Sequence, residues 1–204
     1  MKNIGILNYG IGNLLSLYNS FTYLNANIKI VSDPKKIKYF DLIILPGVGS
    51  FNQAMCNLRE YNFIENLDEH VLEKKKYLLG ICLGMQLIGK SSNEKTFTKG
   101  LNYTDYISNK IIRKKNFPVP HVGFNQIKVI KNSYLFNNIE NNSDFYFTHS
   151  FKIPFKQNNK HIAKTKYSID FTCVYEFENI IATQFHPEKS QINGIKLLKN
   201  ILDY

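Results

Sequence analysis

The run Asp41-Leu-Ile-Ile-Leu-Pro-Gly-Val-Gly49 constrains the fold more than any other stretch. Its apolar block is continuous rather than alternating, so a strand here must be covered on both faces, as in parallel sheets packed between helices. It breaks at Pro46-Gly47, and Ser50 follows as a candidate helix N-cap. The same rhythm recurs around it. Met1–Asn8 reads as a short strand, and Leu14, Leu15, Leu17, Tyr18, Phe21 and Leu24 then recur at helical spacing. Ile28–Val31 reads as a second strand, and helical segments are expected around Phe51–Leu58 and Phe63–Glu73. Another apolar strand follows Lys76. Strand and helix alternating in this way predict an α/β fold, a doubly wound, mostly parallel sheet flanked by helices. Functional groups of such sheets gather beyond the carboxyl ends of the strands, where Asn8–Gly12, Gly47–Gly49 and Cys82 fall.

The second half changes character. Lys99–Asn132 reads as loops and short strands. Asp144–Phe151, Ala163–Tyr167, Thr172–Phe177 and Ile180–Phe185 read as strands, with Glu178-Asn179 at a hairpin turn. This predicts an added antiparallel β portion. Gln191–Leu202 closes the chain as a helix. No Pro/Gly/Ser linker or repeat interrupts it, so residues 1–204 are expected to form one domain.

Composition excludes several classes. No run of about 18 apolar residues is present, so no membrane helix is expected. The N-terminus lacks the apolar core and cleavage site of a signal peptide. Three widely spaced cysteines, Cys56, Cys82 and Cys173, fit neither a disulfide framework nor a metal site, and they suit a reducing cytoplasm. The net charge is +10, but it is carried almost wholly by scattered lysines; Arg59 and Arg113 are the only arginines. Nucleic-acid sites lean on arginine for bidentate and stacking contacts, so no nucleic-acid partner is expected. Gly10 and Gly12 resemble half of a dinucleotide fingerprint, but Leu15 stands where its third glycine belongs.

Gly80-Ile-Cys-Leu-Gly84 places a cysteine between two glycines after an apolar strand and before a helix. That is the cysteine form of a nucleophile elbow. The tight turn needs shoulders without side chains. At the helix N-terminus, backbone N–H groups and the dipole favour a thiolate, which a free thiol with a pKa of about 8.5 scarcely forms at neutral pH. The same residues also suit a small buried cysteine packed among glycines. Thr183-Gln-Phe-His-Pro-Glu-Lys-Ser190 supplies the complement. His186 and Glu188 stand two apart on an extended segment and so share a face, with Pro187 keeping His186 out of helical geometry. A histidine beside a carboxylate is a general base with an orienting partner. Alone, the pair could equally be solvated at a strand end. Joined to an elbow cysteine, it completes the types a Cys–His–carboxylate triad requires.

Gly80-Ile-Cys-Leu-Gly-Met-Gln86 with Phe185-His-Pro-Glu-Lys-Ser190 resembles the triad-type (class I) glutamine amidotransferases. The likeness is narrower to the glutaminase subunits of imidazole glycerol phosphate synthase. It rests on Ile4-Gly-Ile-Leu-Asn-Tyr-Gly-Ile-Gly-Asn13, Leu45-Pro-Gly-Val-Gly-Ser-Phe51, Pro120-His-Val-Gly-Phe-Asn125 and Tyr146-Phe-Thr-His-Ser150. The resemblance implies catalytic Cys82, His186 and Glu188, with no cofactor or metal. It implies an oxyanion site from the N–H of Leu83 and the Gly47-Val48-Gly49 loop, Gly49 first, with L-glutamine held by Gly47, Gln86, Glu94 and the backbone of Ser150 and Phe151. Glu94 would pair with the substrate ammonium or stand as a solvated helix-end residue. His149 is expected to be structural or next to the pocket; His70 and His161 are expected at the surface.

The resemblance further implies a heterodimer with a (β/α)8-barrel cyclase, docked near Asn13, Phe124, Asn125 and Tyr146 and receiving ammonia through a shielded route. A peptide flip in the glycine loop would gate the oxyanion donor, giving low basal glutaminase activity without the partner. Three departures stand out: Phe124 where the family carries Trp, Phe151 where it carries Tyr, and the basic stretch before His121. They leave open a paralogue that supplies ammonia for amidating a surface-glycan sugar. A non-catalytic scaffold is the other alternative.

Overall fold

The computed structural model describes residues 2–204; Met1, where the first strand was expected to begin, lies outside them. The first half runs β1 (Asn3–Leu7), α1 (Leu14–Tyr23), β2 (Asn27–Val31), β3 (Leu42–Leu45), α2 (Phe51–Glu60), α3 (Phe63–Asp68), β4 (Tyr77–Ile81) and α4 (Leu83–Leu87). The second half begins with three two-residue strands, β5 (Ser91–Ser92), β6 (Thr98–Lys99) and β7 (Asn109–Lys110). Then come β8 (His121–Val129), β9 (Asp144–His149), β10 (Phe151–Pro154), β11 (His161–Tyr167), β12 (Ile169–Phe177), β13 (Ile180–Thr183) and α5 (Gln191–Asp203).

Strands β2-β1-β3-β4-β13 are parallel neighbours. Beyond β13 the same sheet continues antiparallel through β12, β11, β8 and β9, with β10 pairing with β12 and β7 pairing with β10. The antiparallel portion is thus an extension of the central sheet. Glu178, with φ of 52°, and Asn179 form the two-residue turn between β12 and β13.

Side-chain alternation explains why both faces are covered. Leu42 and Ile44 of β3 pack with Leu17 and Phe21 of α1 and with Leu197, Leu198 and Ile201 of α5. Ile43 and Leu45 point the other way, onto Phe51, Ala54, Met55 and Leu58 of α2 and Phe63 and Leu67 of α3. The spacing 51, 54, 55, 58 is one helical stripe. Each such buried aliphatic side chain contributes roughly 1.5–3 kcal/mol, so the unbroken apolar run of β3 ties the two helical layers together.

Four expectations change. Ser50 occupies the N-cap position of α2 but makes no side-chain cap; the carboxylate of Glu94 accepts from the Phe51 N–H instead, at 2.7 Å. The Lys99–Asn132 region, expected to hold only loops and short strands, contains the nine-residue β8. His186 is extended, but Pro187–Lys189 close into a 3₁₀ turn. His70 and His161, expected at the surface, are buried: Nε2 of His70 lies 3.1 Å from the Tyr77 carbonyl, and Nδ1 of His161 lies 2.6 Å from Thr172 Oγ1.

Candidate active site

Strand register builds the site. Gly80 and Ile81 of β4 pair with Ala182 and Thr183 of β13, so Cys82 and Gln184 leave neighbouring strands at the same end. The Cys82 N–H donates to the Thr183 carbonyl at 2.7 Å. On the other side, Leu45 of β3 pairs with Gly80, which brings the Pro46–Gly49 loop alongside Cys82. Tyr9, just past β1, donates its hydroxyl to the Pro46 carbonyl at 2.5 Å and braces that loop. The Gly10–Gly12 segment therefore serves a bracing turn at the carboxyl end of β1.

The turn at Cys82 is a strained elbow. Its φ is 53° and ψ −104°, a region that costs a non-glycine residue of order 1–3 kcal/mol. Both flanking glycines are closely packed, and Gly84 admits no side chain. A Cβ on Gly80 would come within 2.6 Å of Ile88 Cδ1, and one on Gly84 would run into the Leu45 carbonyl oxygen. Close backbone packing holds Cys82 in this conformation at the entrance to α4.

Nδ1 of His186 lies 2.8 Å from Glu188 Oε1, and both side chains are almost fully buried. A carboxylate only accepts, so Nδ1 carries a proton, and Nε2 is the ring nitrogen left to exchange one. No hydrogen bond of ordinary geometry reaches Nε2 among the described residues, yet Cys82 is near enough for its charge to act on the ring. Burial by itself favours the neutral imidazole. The interactions with Cys82 and with the Glu188 carboxylate outweigh it and push His186 up to about 10. The backbone of His186 is pinned to β9, its N–H donating to the Tyr146 carbonyl at 2.9 Å. Ser190 Oγ donates to the His186 carbonyl at 2.6 Å and accepts from the Tyr146 N–H at 3.0 Å.

Cys82 opens onto a cavity of about 280 Å³. Val48, Gly49, Leu83, Gln86, Glu94, Ser150 and Phe151, all singled out in the sequence, line it. Gly47 touches the site through its carbonyl, which accepts from the Leu83 N–H at 3.4 Å. Gly49 has a φ of 107°, a conformation that side-chain-bearing residues rarely adopt, and open space where a Cβ would stand. Gln86 Nε2 donates to the Phe151 carbonyl at 3.0 Å. Glu94 uses Oε2 on the Phe51 N–H, leaving Oε1 for a ligand. His149 also lines the cavity.

Away from the cavity, the Asn13 side chain accepts from the Ser16 N–H at 3.4 Å and caps α1. Phe124 is half-exposed and packs edge-on against Tyr146, with ring centroids 5.5 Å apart. Asn125 donates to the Lys166 carbonyl at 3.1 Å.

Sequence reasoning passed over Gln184 and Thr148. Gln184 is fully buried, with Nε2 3.8 Å from Cys82 Sγ, and Sγ lies 3.7 Å from the Thr148 carbonyl. The signal for Gln184 was its place two residues before His186, on the same side of an extended segment.

A family model for class-I glutamine amidotransferases matches residues 6–203. The chain belongs to the class-I glutamine amidotransferase family. It is 42% identical over 199 residues to the imidazole glycerol phosphate synthase subunit HisH 1 of Campylobacter jejuni strain RM1221, covering 98% of each chain. It is 40% identical over 206 residues to subunit HisH of Pelagibacter ubique, covering 98% of this chain and 99% of that one. Among solved structures, PurLQS from Thermotoga maritima superposes with a TM-score of 0.75 at 18% identity, over 100% of this chain and 99% of the other. That likeness is one of fold. The family match thus takes in β4 and β13 and the segments after them that carry the cysteine, histidine and glutamate described above.

Proposed function

We propose that this chain is the glutaminase subunit of imidazole glycerol phosphate synthase, which releases ammonia from L-glutamine for histidine biosynthesis, and that residues 1–204 act as a single cytoplasmic glutaminase domain. The observation that carries the reading is the β4–β13 register, which sets an elbow cysteine that lines a cavity near a buried histidine already paired to a glutamate. Among the described residues no helix is long and apolar enough to cross a membrane.

In this reading Cys82 passes its proton to His186 Nε2, and the thiolate attacks the side-chain carbonyl carbon of glutamine. Negative charge collects on the amide oxygen. The Leu83 N–H and a donor from the Gly47-Val48-Gly49 loop, Gly49 first, hold that oxyanion; each donor is worth about 3–4 kcal/mol in acyl transfer. As the tetrahedral adduct collapses, the C–N bond breaks and His186 protonates the departing nitrogen, giving ammonia and a thioester on Cys82. His186 then takes a proton from water, hydroxide adds to the thioester, and glutamate leaves as the thiol reforms. Glu188 keeps Nδ1 protonated throughout and stabilises the imidazolium. Gln86, Glu94 and the backbone of Ser150 and Phe151 hold the substrate.

At rest the Leu83 N–H leans on the Gly47 carbonyl. One oxyanion donor is thus engaged by the loop, and turning the Gly47–Gly49 peptides frees it. Such a loop keeps turnover low until a partner docks. The partner is a cyclase of (β/α)8-barrel form, with Asn13, Phe124, Asn125 and Tyr146 at or near the contact. Half-exposed Phe124 and exposed Val122 give that face an apolar component. Ammonia reaching bulk water would be protonated and lose its nucleophilicity, so a shielded route between the subunits is part of the mechanism.

The test is growth without histidine of a strain lacking its own glutaminase subunit. The wild-type gene restores growth and the Cys82→Ala gene does not at low external ammonia. Failure of the wild-type gene, with the protein expressed and folded, favours the surface-glycan paralogue.

A further inference from the structure

The wall of the cavity carries a second ordered system of imidazoles. Nδ1 of His149 lies 2.7 Å from the Phe151 carbonyl oxygen. A carbonyl only accepts, so Nδ1 carries the hydrogen and, in a neutral ring, Nε2 is an acceptor. Nδ1 of His121 lies 3.1 Å from that Nε2, so His121 must donate and its own Nε2 must accept. Nδ2 of Asn125 faces His121 Nε2 at 3.4 Å and gives its other hydrogen to the Lys166 carbonyl. Donation therefore runs one way, from Asn125 through His121 and His149 to the Phe151 carbonyl. That carbonyl also receives Gln86 Nε2 at 3.0 Å and belongs to the wall residue beside Cys82.

The rings are fixed by packing. His121 stacks on Tyr167 with centroids 3.9 Å apart and on Phe147 at 4.9 Å, and Phe171 meets His149 edge-on at 5.2 Å. Burial pushes His149 down to about 3 and His121 to about 4, and the charges of His186 and Lys152 further disfavour a proton on His149. Both rings are neutral at pH 7, the state in which this directional order is complete.

We infer that His149 and His121 are positioning residues of the glutamine pocket: with Gln86 they fill both lone pairs of the Phe151 carbonyl and so fix the backbone wall beside Cys82 against which the substrate seats. The inference deepens the glutaminase reading and rests on it. His149 touches the pocket wall, whereas His121 acts only through His149 by fixing its tautomer. Without His121, the His149 ring is free to turn its lone pair toward the carbonyl and repel it.

The experiment measures glutamine hydrolysis by the complex with the cyclase subunit, together with calorimetric binding of L-glutamine in a Cys82→Ala background. His149→Phe keeps the ring volume and removes both nitrogens. It is expected to raise KM about five- to tenfold, the size of one lost hydrogen bond, with kcat changed by less than about twofold. Mere loss of folded protein would do the reverse, lowering apparent kcat at constant KM. His149→Asn keeps a donor near the Nδ1 position and restores KM toward wild type. The double variant His121→Phe/His149→Phe costs no more than His149→Phe alone, because the two act in series. If His149→Phe does not fold, His121→Phe carries the test, with KM raised about twofold or more. Unchanged KM and binding in the folded variants, or a rise that His149→Asn fails to reduce, overturns the positioning role. Absence of Cys82-dependent hydrolysis in the wild-type complex overturns the glutaminase reading itself.

Discussion

His186 Nδ1 donates to Glu188 Oε1 across 2.8 Å, in a place where neither side chain exposes more than 3% of its surface. A buried carboxylate in that position sets the tautomer of the ring and stabilises its protonated form. Glu188→Gln is therefore expected to lower kcat by about 10²-fold or more while KM for glutamine changes little. It should also move the His186 titration downward, since one of the two groups that raise it is gone. Steady-state kinetics across pH would check both, and an unchanged kcat would remove Glu188 from the mechanism.

Glu94 serves two structures at once. Its carboxylate caps α2 at Phe51 and borders the cavity. Glu94→Ala is expected to cost about 0.5–2 kcal/mol of stability, the usual value of an N-cap, and to raise KM as well. Ser50→Ala should be nearly silent, because Ser50 makes no side-chain cap bond. Urea titration of the two variants separates these outcomes.

Acid should destabilise the fold in a defined window. Burial holds His70, His121 and His161 at about 4 and His149 at about 3, against 6.5 for a free histidine. Between those values the unfolded chain binds more protons, so stability falls as pH drops from about 6.5 toward 4. Each unit of lowered pKa corresponds to about 1.4 kcal/mol at full titration. His186 has the opposite sign. Held at about 10, it stabilises the fold fully below pH 6.5, and that contribution is lost as pH rises toward 10. Urea midpoints at pH 5, 7 and 9 would read both limbs, with the pH 5 midpoint lowest on the acid side. His161→Gln should flatten that acid limb.

The elbow was legible because its causes are local. Apolar residues before Gly80, a glycine at each shoulder and a helix after Cys82 are all written within one short stretch, and the structure shows a steric reason for each glycine. The layered sheet was legible for a related reason, since the block Leu42–Leu45 can only be covered on both faces. Other features depend on contacts between segments far apart in the chain. Glu94 replaces Ser50 as the cap through a contact spanning 43 residues. The antiparallel strands join the central sheet because β13 pairs with β4 on one side and β12 on the other, which no single segment encodes. His70 and His161 were misread because one polar residue carries no burial signal of its own. Their burial follows from the Tyr77 carbonyl and the Thr172 hydroxyl meeting them. The His121–His149 contact likewise exists only through the β8–β9 register.

The most direct measurement compares two nitrogen sources in the complex with the cyclase subunit. Cys82→Ala should abolish synthesis with glutamine and leave synthesis with added ammonium salt within about twofold of wild type, because only acyl transfer uses the thiol. Glutamine-dependent synthesis that survives the substitution would contradict the assignment of Cys82 as nucleophile, and with it the role given to His186 and Glu188.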